Sequence, residues 1–248
     1  MVQFNKKYSA LYNSFYKNKN YLKKFNNLKK NIPATNKINN ILDIGCGTGS
    51  FTKLFLNYKS CKILGIDMSS SMIKIARKNV KNNRINFKLK NLHLLKDNKK
   101  YDLIFSLFHV LSYQTQKKTI NNFFRVINSI MKKNSIFVFD FWNKSGVLKL
   151  KPSKRIKIFK KGKFLIKREA SPIWLKSKNI VEVKYKIIVN NNNKIQIFYE
   201  NHKMRYFSIP EIMKILKKYK FKILKNYDHV NNKTNKYSWG RTFIIKKI

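Results

Sequence analysis

The chain has 248 residues, 43% of them hydrophobic and 14% aromatic, with a formal net charge of +46. That length and apolar content suit one large domain with a full core or two small ones and exclude a disordered polycation. The charge itself does not define a nucleic-acid surface: the basic residues are nearly all Lys, with Arg only at 77, 84, 125, 155, 168, 205 and 241, and they are spread along the whole chain among abundant Asn. A phosphate-binding face concentrates its charge and favours Arg. Lys, Asn and Ile rising together fits AT-rich codon usage, although such a field still attracts anionic substrates.

The predicted elements begin with residues 1–36, polar with regular aromatics, where Tyr21, Leu22, Phe25 and Leu28 share one helical face and Pro33 marks a stop. Strand and helix then alternate. Strands are expected at Ile41–Ile44, Lys62–Ile66 (ending at Asp67), Asn86–Leu89, Tyr101–Leu107 and Ser135–Phe141. Helices are expected to begin at Phe51–Leu56 and to span Ser69–Lys81 and Lys117–Met131, the last with Ile120, Phe123, Phe124, Ile127 and Ile130 at a 3.6 period. This repetition implies a parallel sheet with helices on both faces.

Near Val147 the pattern changes. "RIKIF", "KFLIKREA", "IVEVKYKIIV" and "KIQIFYENHKMRYF" follow one another across short turns such as "KKGK" and "NNNN", which predicts an antiparallel insertion. Ser208 and Glu211 form a capping box that opens a helix to about Tyr219, and two strands, "FKILKNY" and "RTFIIKKI", close the chain. The resulting division is an N-terminal helical cap (1–36), a ligand-binding half (37–146), an antiparallel insertion (147–207) and a C-terminal helix with the last two strands (208–248), all in one domain.

Chemistry concentrates in "NNILDIGCGTGSFTKLF", residues 39–55. A strand, then Gly45-x-Gly47-x-Gly49, then a helix start is a nucleotide-type loop, in which glycines admit positive φ and let a ligand lie against bare amides. A dinucleotide loop wants G-x-G-x-x-G, and position 50 is Ser. Asp43 precedes the loop, and Asp67 ends the second strand before "MSSSMIKIARKN".

Together "ILDIGCGTGSFTKLF", "ILGIDMSSSMIKIARKN" and "YDLIFSLFHVLSY" resemble a class I S-adenosylmethionine-dependent methyltransferase, from about Tyr8 to the C-terminus. "YSALYNSFYKNKNY", "FHVLSYQT", "FDFWN" and "YENHKMRYFSIPEI" look most like the bacterial enzymes of sugar and surface-polysaccharide biosynthesis, akin to N,N-dimethyltransferases of nucleotide-linked amino sugars. The resemblance implies a Rossmann-like, seven-stranded, mostly parallel sheet and S-adenosylmethionine as cofactor. It also implies roles. Asp43 orders the loop and faces the methionine ammonium, and the amides around Gly45 and Gly47 approach the methionyl and ribose parts. Asp67 accepts both ribose hydroxyls, and Met68 packs on the adenine. Asn91 stands where the family usually has Asp for the adenine amino group, which implies weaker cofactor binding; Leu92 offers its backbone amide to the ring. Phe108 lines the sulfonium, while Tyr12 and Tyr21 close over the cofactor.

For the acceptor, methyl transfer needs an aligned nucleophile and a place for its proton. Ligands in such sheets sit beyond the carboxyl ends of the strands. His109 and Tyr113 after the fourth strand are the catalytic candidates, with Tyr113 where amino-sugar relatives have His. Asp140 and Trp142 follow the fifth strand; Glu200 and His202 share a strand face, and Arg205 or Arg241 is placed to hold a phosphate or carboxylate. The four histidines, 93, 109, 202 and 229, have no metal-ligand spacing, and Cys46 and Cys61 set up neither a disulfide framework nor a metal site. The start lacks an apolar signal region and no apolar stretch approaches a membrane span, so the expected setting is reducing and cytoplasmic. The expected partner is a small acceptor, such as an anionic nucleotide sugar, with no specific nucleic acid and no membrane; a homodimer is left open. An RNA acceptor and a non-catalytic cofactor-binding module are the competing readings. The segment "SLFH" stands where RNA base methylation on this fold typically has an N/D-P-P-Y/F-type motif.

Overall fold

In the computed structural model, residues 4–17, 19–33, 38–95, 100–191, 194–228 and 236–248 are described. His229 and the centre of the Asn190–Asn193 turn lie outside them. The chain opens with two helices, α1 (Lys6–Phe15) and α2 (Tyr21–Asn31). Each is capped by an asparagine side chain: Asn5 accepts from the Tyr8 amide and Asn20 from the Lys23 amide, satisfying first-turn donors that have no partner within the helix. The alternating section then lays down β1 (Asn40–Ile44), β2 (Lys62–Asp67), α3 (Ser70–Asn79), β3 (Ile85–Leu89), β4 (Tyr101–Ser106), α4 (Lys117–Ile130) and β5 (Met131–Asn143).

The expected helix after the glycine loop is a 3-10 turn over Thr52–Asn57. Only a few residues separate it from β2, and the Thr52 hydroxyl is turned inward to bond Asp43. A helix not foreseen in the sequence, α5 (Lys144–Leu150), carries the chain away from β5, so the 146/147 division falls inside a helix. The insertion strands are β6 (Arg155–Lys161), β7 (Phe164–Leu175), β8 (Ile180–Asn191) and β9 (Lys194–Phe207), all antiparallel neighbours. Then come α6 (Ile209–Lys218), opened by Ser208, β10 (Phe221–Asp228) and β11 (Gly240–Lys247).

The main sheet runs β3-β2-β1-β4-β5-β11-β10, seven strands, parallel except where β11 pairs antiparallel with β5 and with β10. At its far end β5 also pairs, in parallel, with β9 through Trp142–Tyr206 and Asn143–Phe207. The insertion is therefore a continuation of the sheet and not a separate layer. Alternation along β5 divides the core. Phe137, Phe139 and Phe141 face α4 and α6, whereas Ile136 and Val138 face the side covered by α2 and α3. The six apolar positions of α4 are all buried, and each contributes about 1.5–3 kcal/mol by leaving water. A smaller cluster joins Tyr8 and Phe15 of α1 to Ile166 of β7 and Ile187 of β8. This contact holds α1 and the insertion together over the carboxyl ends of the parallel strands, where the site lies.

Candidate active site

A cavity of about 680 Å³ opens at the carboxyl ends of β1, β2 and β4. Its floor is the glycine loop. Gly45, Gly47 and Gly49 all have positive φ, but they serve different ends. A side-chain carbon at Gly47 would meet nothing within 4 Å, so the space over its Cα is open to the cavity. One at Gly45 would strike Val110 at 2.4 Å. Gly49 corrects the expectation that all three glycines border the ligand: it lies off the cavity wall, and a side chain there would meet Phe87 at 2.8 Å and Ala76 at 3.2 Å. It is a packing position that lets the loop close on β3 and α3.

The two strand-end carboxylates both reach this cavity. Asp43 is buried and accepts from the Thr52 hydroxyl at 2.6 Å. Burial raises its pKa to about 7; the Thr52 bond opposes that and the nearby Asp67 adds to it. Asp67 takes the Gly47 amide on one oxygen at 3.0 Å and the Ser69 amide on the other at 2.8 Å. These bonds offset part of the upward push that burial gives it. Each carboxylate oxygen keeps a second lone pair, so Asp67 can still accept two ligand hydroxyls.

Beside Asp67, Met68 is exposed on the cavity rim. Asn91 and the buried Leu92 form the opposite edge. The Asn91 oxygen also accepts the His93 amide at 3.0 Å, so it caps the short turn that follows β3. Over the loop stands an aromatic group, with Tyr21 edge-on to Phe108 at 5.4 Å and Phe108 edge-on to Phe51 at 5.3 Å. Tyr12 and Tyr16, from α1 and the residue capping its end, complete this roof.

Phe108 and His109 are consecutive non-glycine residues at positive φ, +63° and +70°. Such backbone costs about 1–3 kcal/mol per residue. The His109 amide is held by the fully buried Asp140 at 2.5 Å, and its ring Nδ1 lies 3.6 Å from the same carboxylate oxygen. The other Asp140 oxygen binds the Lys24 ammonium at 2.7 Å, tying α2 to the end of β5. Lys19 lines the cavity too, 4.0 Å over the Tyr16 ring and 4.5 Å over Phe108. Burial, and after it the charge of Lys24, lowers its pKa to about 8. Sequence reasoning missed both lysines, because among 56 basic residues neither carries a distinguishing signal.

Another part of the cavity wall is lined by His109 and Tyr113 from the connection after β4, Trp142 of β5, and Val183, Tyr185 and His202 of the insertion. Tyr113 is 2.7 Å from His202 Nδ1. Three expected substrate contacts are corrected, since they stand off the cavity wall. Glu200 is turned to the N-terminal segment, accepting the Phe4 amide and, at 2.6 Å, the Asn5 side chain. Arg205 pairs with Glu211 at 2.9 Å, and Arg241 is buried against Asn226 at 2.7 Å. Parity explains Arg205: on β9 the inward face carries residues 200, 202 and 204. Among the described residues no cluster of His, Cys, Asp or Glu is arranged to hold a metal, and no helix is long and apolar enough to cross a membrane.

The sheet order, the loop and the paired carboxylates define a class I methyltransferase fold, Rossmann-like with an antiparallel extension. Comparison with known proteins agrees. Residues 41–133 match the family model described as a methyltransferase domain. The chain is 31% identical to malonyl-[acyl-carrier protein] O-methyltransferase 2 of Ilyobacter polytropus over 46% of its own length and 43% of that protein's, so it spans about two fifths of this relative. It is 28% identical to an uncharacterized protein of Methanocaldococcus jannaschii over 94% of this chain and 80% of that one. Among solved structures, an S-adenosylmethionine-dependent methyltransferase from Clostridium acetobutylicum superposes with a TM-score of 0.79 at 20% identity, covering 97% of this chain and 98% of that one. CalS10, an amino pentose methyltransferase from Micromonospora echinaspora with its cofactor bound, gives 0.77 at 12% identity over 100% and 99%. KedS8, a sugar N-methyltransferase from Streptoalloteichus, gives 0.80 at 12% over 100% and 94%. At these identities the structures show a shared fold.

Proposed function

We propose that the protein is an S-adenosylmethionine-dependent methyltransferase whose acceptor is the amine of a nucleotide-linked amino sugar. The observation that carries the cofactor assignment is the open space above Gly47, flanked by Asp43 and Asp67 under an aromatic roof. The cofactor fits these residues. Asp67 has lone pairs for a ribose, Asp43 has a carboxylate for an ammonium, and Gly47 leaves room for both parts. S-adenosylmethionine, when bound, supplies a methyl group on a positively charged sulfur, ready for in-line displacement. The chain's own task is to hold the cofactor, exclude water and orient the nucleophile. Tyr21, Phe51 and Phe108 supply the apolar wall, and His109, Tyr113 and Trp142 face the acceptor.

The amino-sugar acceptor is supported by full-length likeness to CalS10 and KedS8, which includes the insertion that roofs the acceptor side. The malonyl-[acyl-carrier protein] relative aligns over less than half of the chain. The free thiols of Cys46 and Cys61 fit a reducing, cytoplasmic setting. The test is mass spectrometry of nucleotide sugars incubated with the enzyme and methyl-labelled cofactor. Label on an amino sugar, with none on its hydroxyl or carboxyl counterparts, supports the proposal. Label only on a carboxyl or on RNA refutes the acceptor.

A further inference from the structure

Tyr113 does not stand alone on the cavity wall. Behind it on β9, His202 Nδ1 lies 2.7 Å from the phenol oxygen. Two residues earlier on the same face, Glu200 Oε1 lies 3.7 Å from His202 Nε2. The carboxylate is itself anchored by the Phe4 amide and the Asn5 side chain. The rings of Phe4 and Tyr185 stand edge-on to the imidazole, at 4.8 and 5.3 Å, and leave it 4% exposed. Burial, and secondarily the charge of Arg168, holds the ring neutral, with a pKa near 4.

A neutral imidazole has one N–H and one lone pair. Nε2 lies 3.7 Å from the Glu200 carboxylate, beyond hydrogen-bond distance but near enough for the negative charge to favour the tautomer with its hydrogen on Nε2. Nδ1 is then the acceptor, and the hydrogen between it and Tyr113 belongs to the phenol. Tyr113 has no other hydrogen to offer, so its oxygen presents only lone pairs to the cavity.

We infer that the Tyr113–His202 hydrogen bond, with the imidazole tautomer set by the nearby Glu200 carboxylate, makes Tyr113 an acceptor-only group, selecting a methyl acceptor that presents N–H or O–H and disfavouring one that presents a carboxylate. The inference rests on the methyl-transfer reading and adds the functional group that the site recognises. An amine or hydroxyl gives a hydrogen to Tyr113 and keeps a lone pair for the incoming carbon. A carboxylate meets lone pairs. To take the phenol hydrogen it must break the bond to His202 and leave a buried nitrogen without a donor. Tyr113 touches the acceptor; His202 and Glu200 are positioning residues.

Two measurements on the full chain test this. In ¹⁵N-histidine-labelled protein, His202 Nε2 is expected to be protonated and Nδ1 to show the shift of an unprotonated, hydrogen-bonded nitrogen. Tyr113→Phe should move Nδ1 alone. The opposite tautomer overturns the inference. In calorimetry on protein saturated with S-adenosylhomocysteine, UDP-glucosamine is expected to bind at least tenfold tighter than UDP-glucuronate. That preference should survive in His202→Asn, whose amide oxygen also accepts from Tyr113, and collapse in His202→Leu and Tyr113→Phe. Tighter binding of the glucuronate by the wild type overturns the inference. Failure of S-adenosylhomocysteine to bind removes the methyl-transfer reading instead, and failure of both sugars removes the nucleotide-sugar acceptor; in either case the His202 tautomer still decides the direction of the Tyr113–His202 hydrogen bond.

Discussion

Replacing Asp43 with Asn separates stability from function at one atom. Asp43 is 4% exposed, and its pKa stands at about 7 in the folded chain against an ordinary value of 3.8. The folded state therefore holds this proton more tightly than the unfolded state. Its contribution to stability is full below pH 3.8 and is lost as pH rises to about 7, after which the deficit is constant. That interval corresponds to about 4 kcal/mol at pH 8. In Asp43→Asn, the amide oxygen still accepts from Thr52 and the buried charge is gone. Allowing about 1–2 kcal/mol for the new amide hydrogens, the variant is more stable than wild type by about 2–3 kcal/mol at pH 8, worth roughly 5–10 °C for a chain of this size. At pH 4 the advantage disappears, because the wild-type carboxyl is then protonated. Cofactor affinity moves the other way. Loss of a charged partner for the ammonium costs about 1.5–3 kcal/mol, about ten- to a hundredfold. Thermal melts from pH 4 to pH 8 and titration calorimetry read the two effects. A variant destabilised equally at every pH, or one with unchanged cofactor affinity, refutes the reasoning.

Further predictions concern neighbouring groups. Asp67→Ala removes two charge-assisted bonds to a ribose and should abolish cofactor binding in calorimetry, with a loss of at least about a hundredfold; unchanged affinity removes its assignment. Gly47→Ala should leave the fold intact apart from about 1–2 kcal/mol for the positive φ but weaken the cofactor strongly, whereas Gly49→Ala should mainly lower the melting temperature by forcing Phe87 and Ala76 apart. Because Lys19 sheds its proton near pH 8, the affinity of the charged sulfonium cofactor relative to neutral S-adenosylhomocysteine should rise as pH rises through 8, and this slope should vanish in Lys19→Met. His202 is held neutral to about pH 4 against an ordinary 6.5, so its contribution to stability is present above 6.5 and lost as pH falls toward 4. Acid melts of wild type should show a loss of about 3 kcal/mol that His202→Asn does not share.

Legibility followed the range of the interactions. The parallel strands, α3, α4 and the glycine loop were readable because each rests on local periodicity or on a backbone need of its own. The loop's three glycines look alike in sequence, yet only their neighbours in space, Val110, open solvent or Phe87, separate their tasks. The 3-10 turn replaced a helix because Thr52 bonds Asp43, nine residues back. The acceptor wall was the least legible. Glu200 and His202 were placed on one face by parity, but their partners, Phe4 and Tyr113, come from distant segments that no local pattern joins to them. Lys24 and Asp140, 116 residues apart, are invisible for the same reason.

The central claim is that the space over Gly47 receives S-adenosylmethionine. A crystal grown with S-adenosylhomocysteine tests it most directly. The account predicts the nucleoside lying across Gly47, with its ribose hydroxyls on Asp67 and its amino group toward Asp43. A ligand-free cavity at saturating concentration, or a ribose bound away from Asp67, contradicts it.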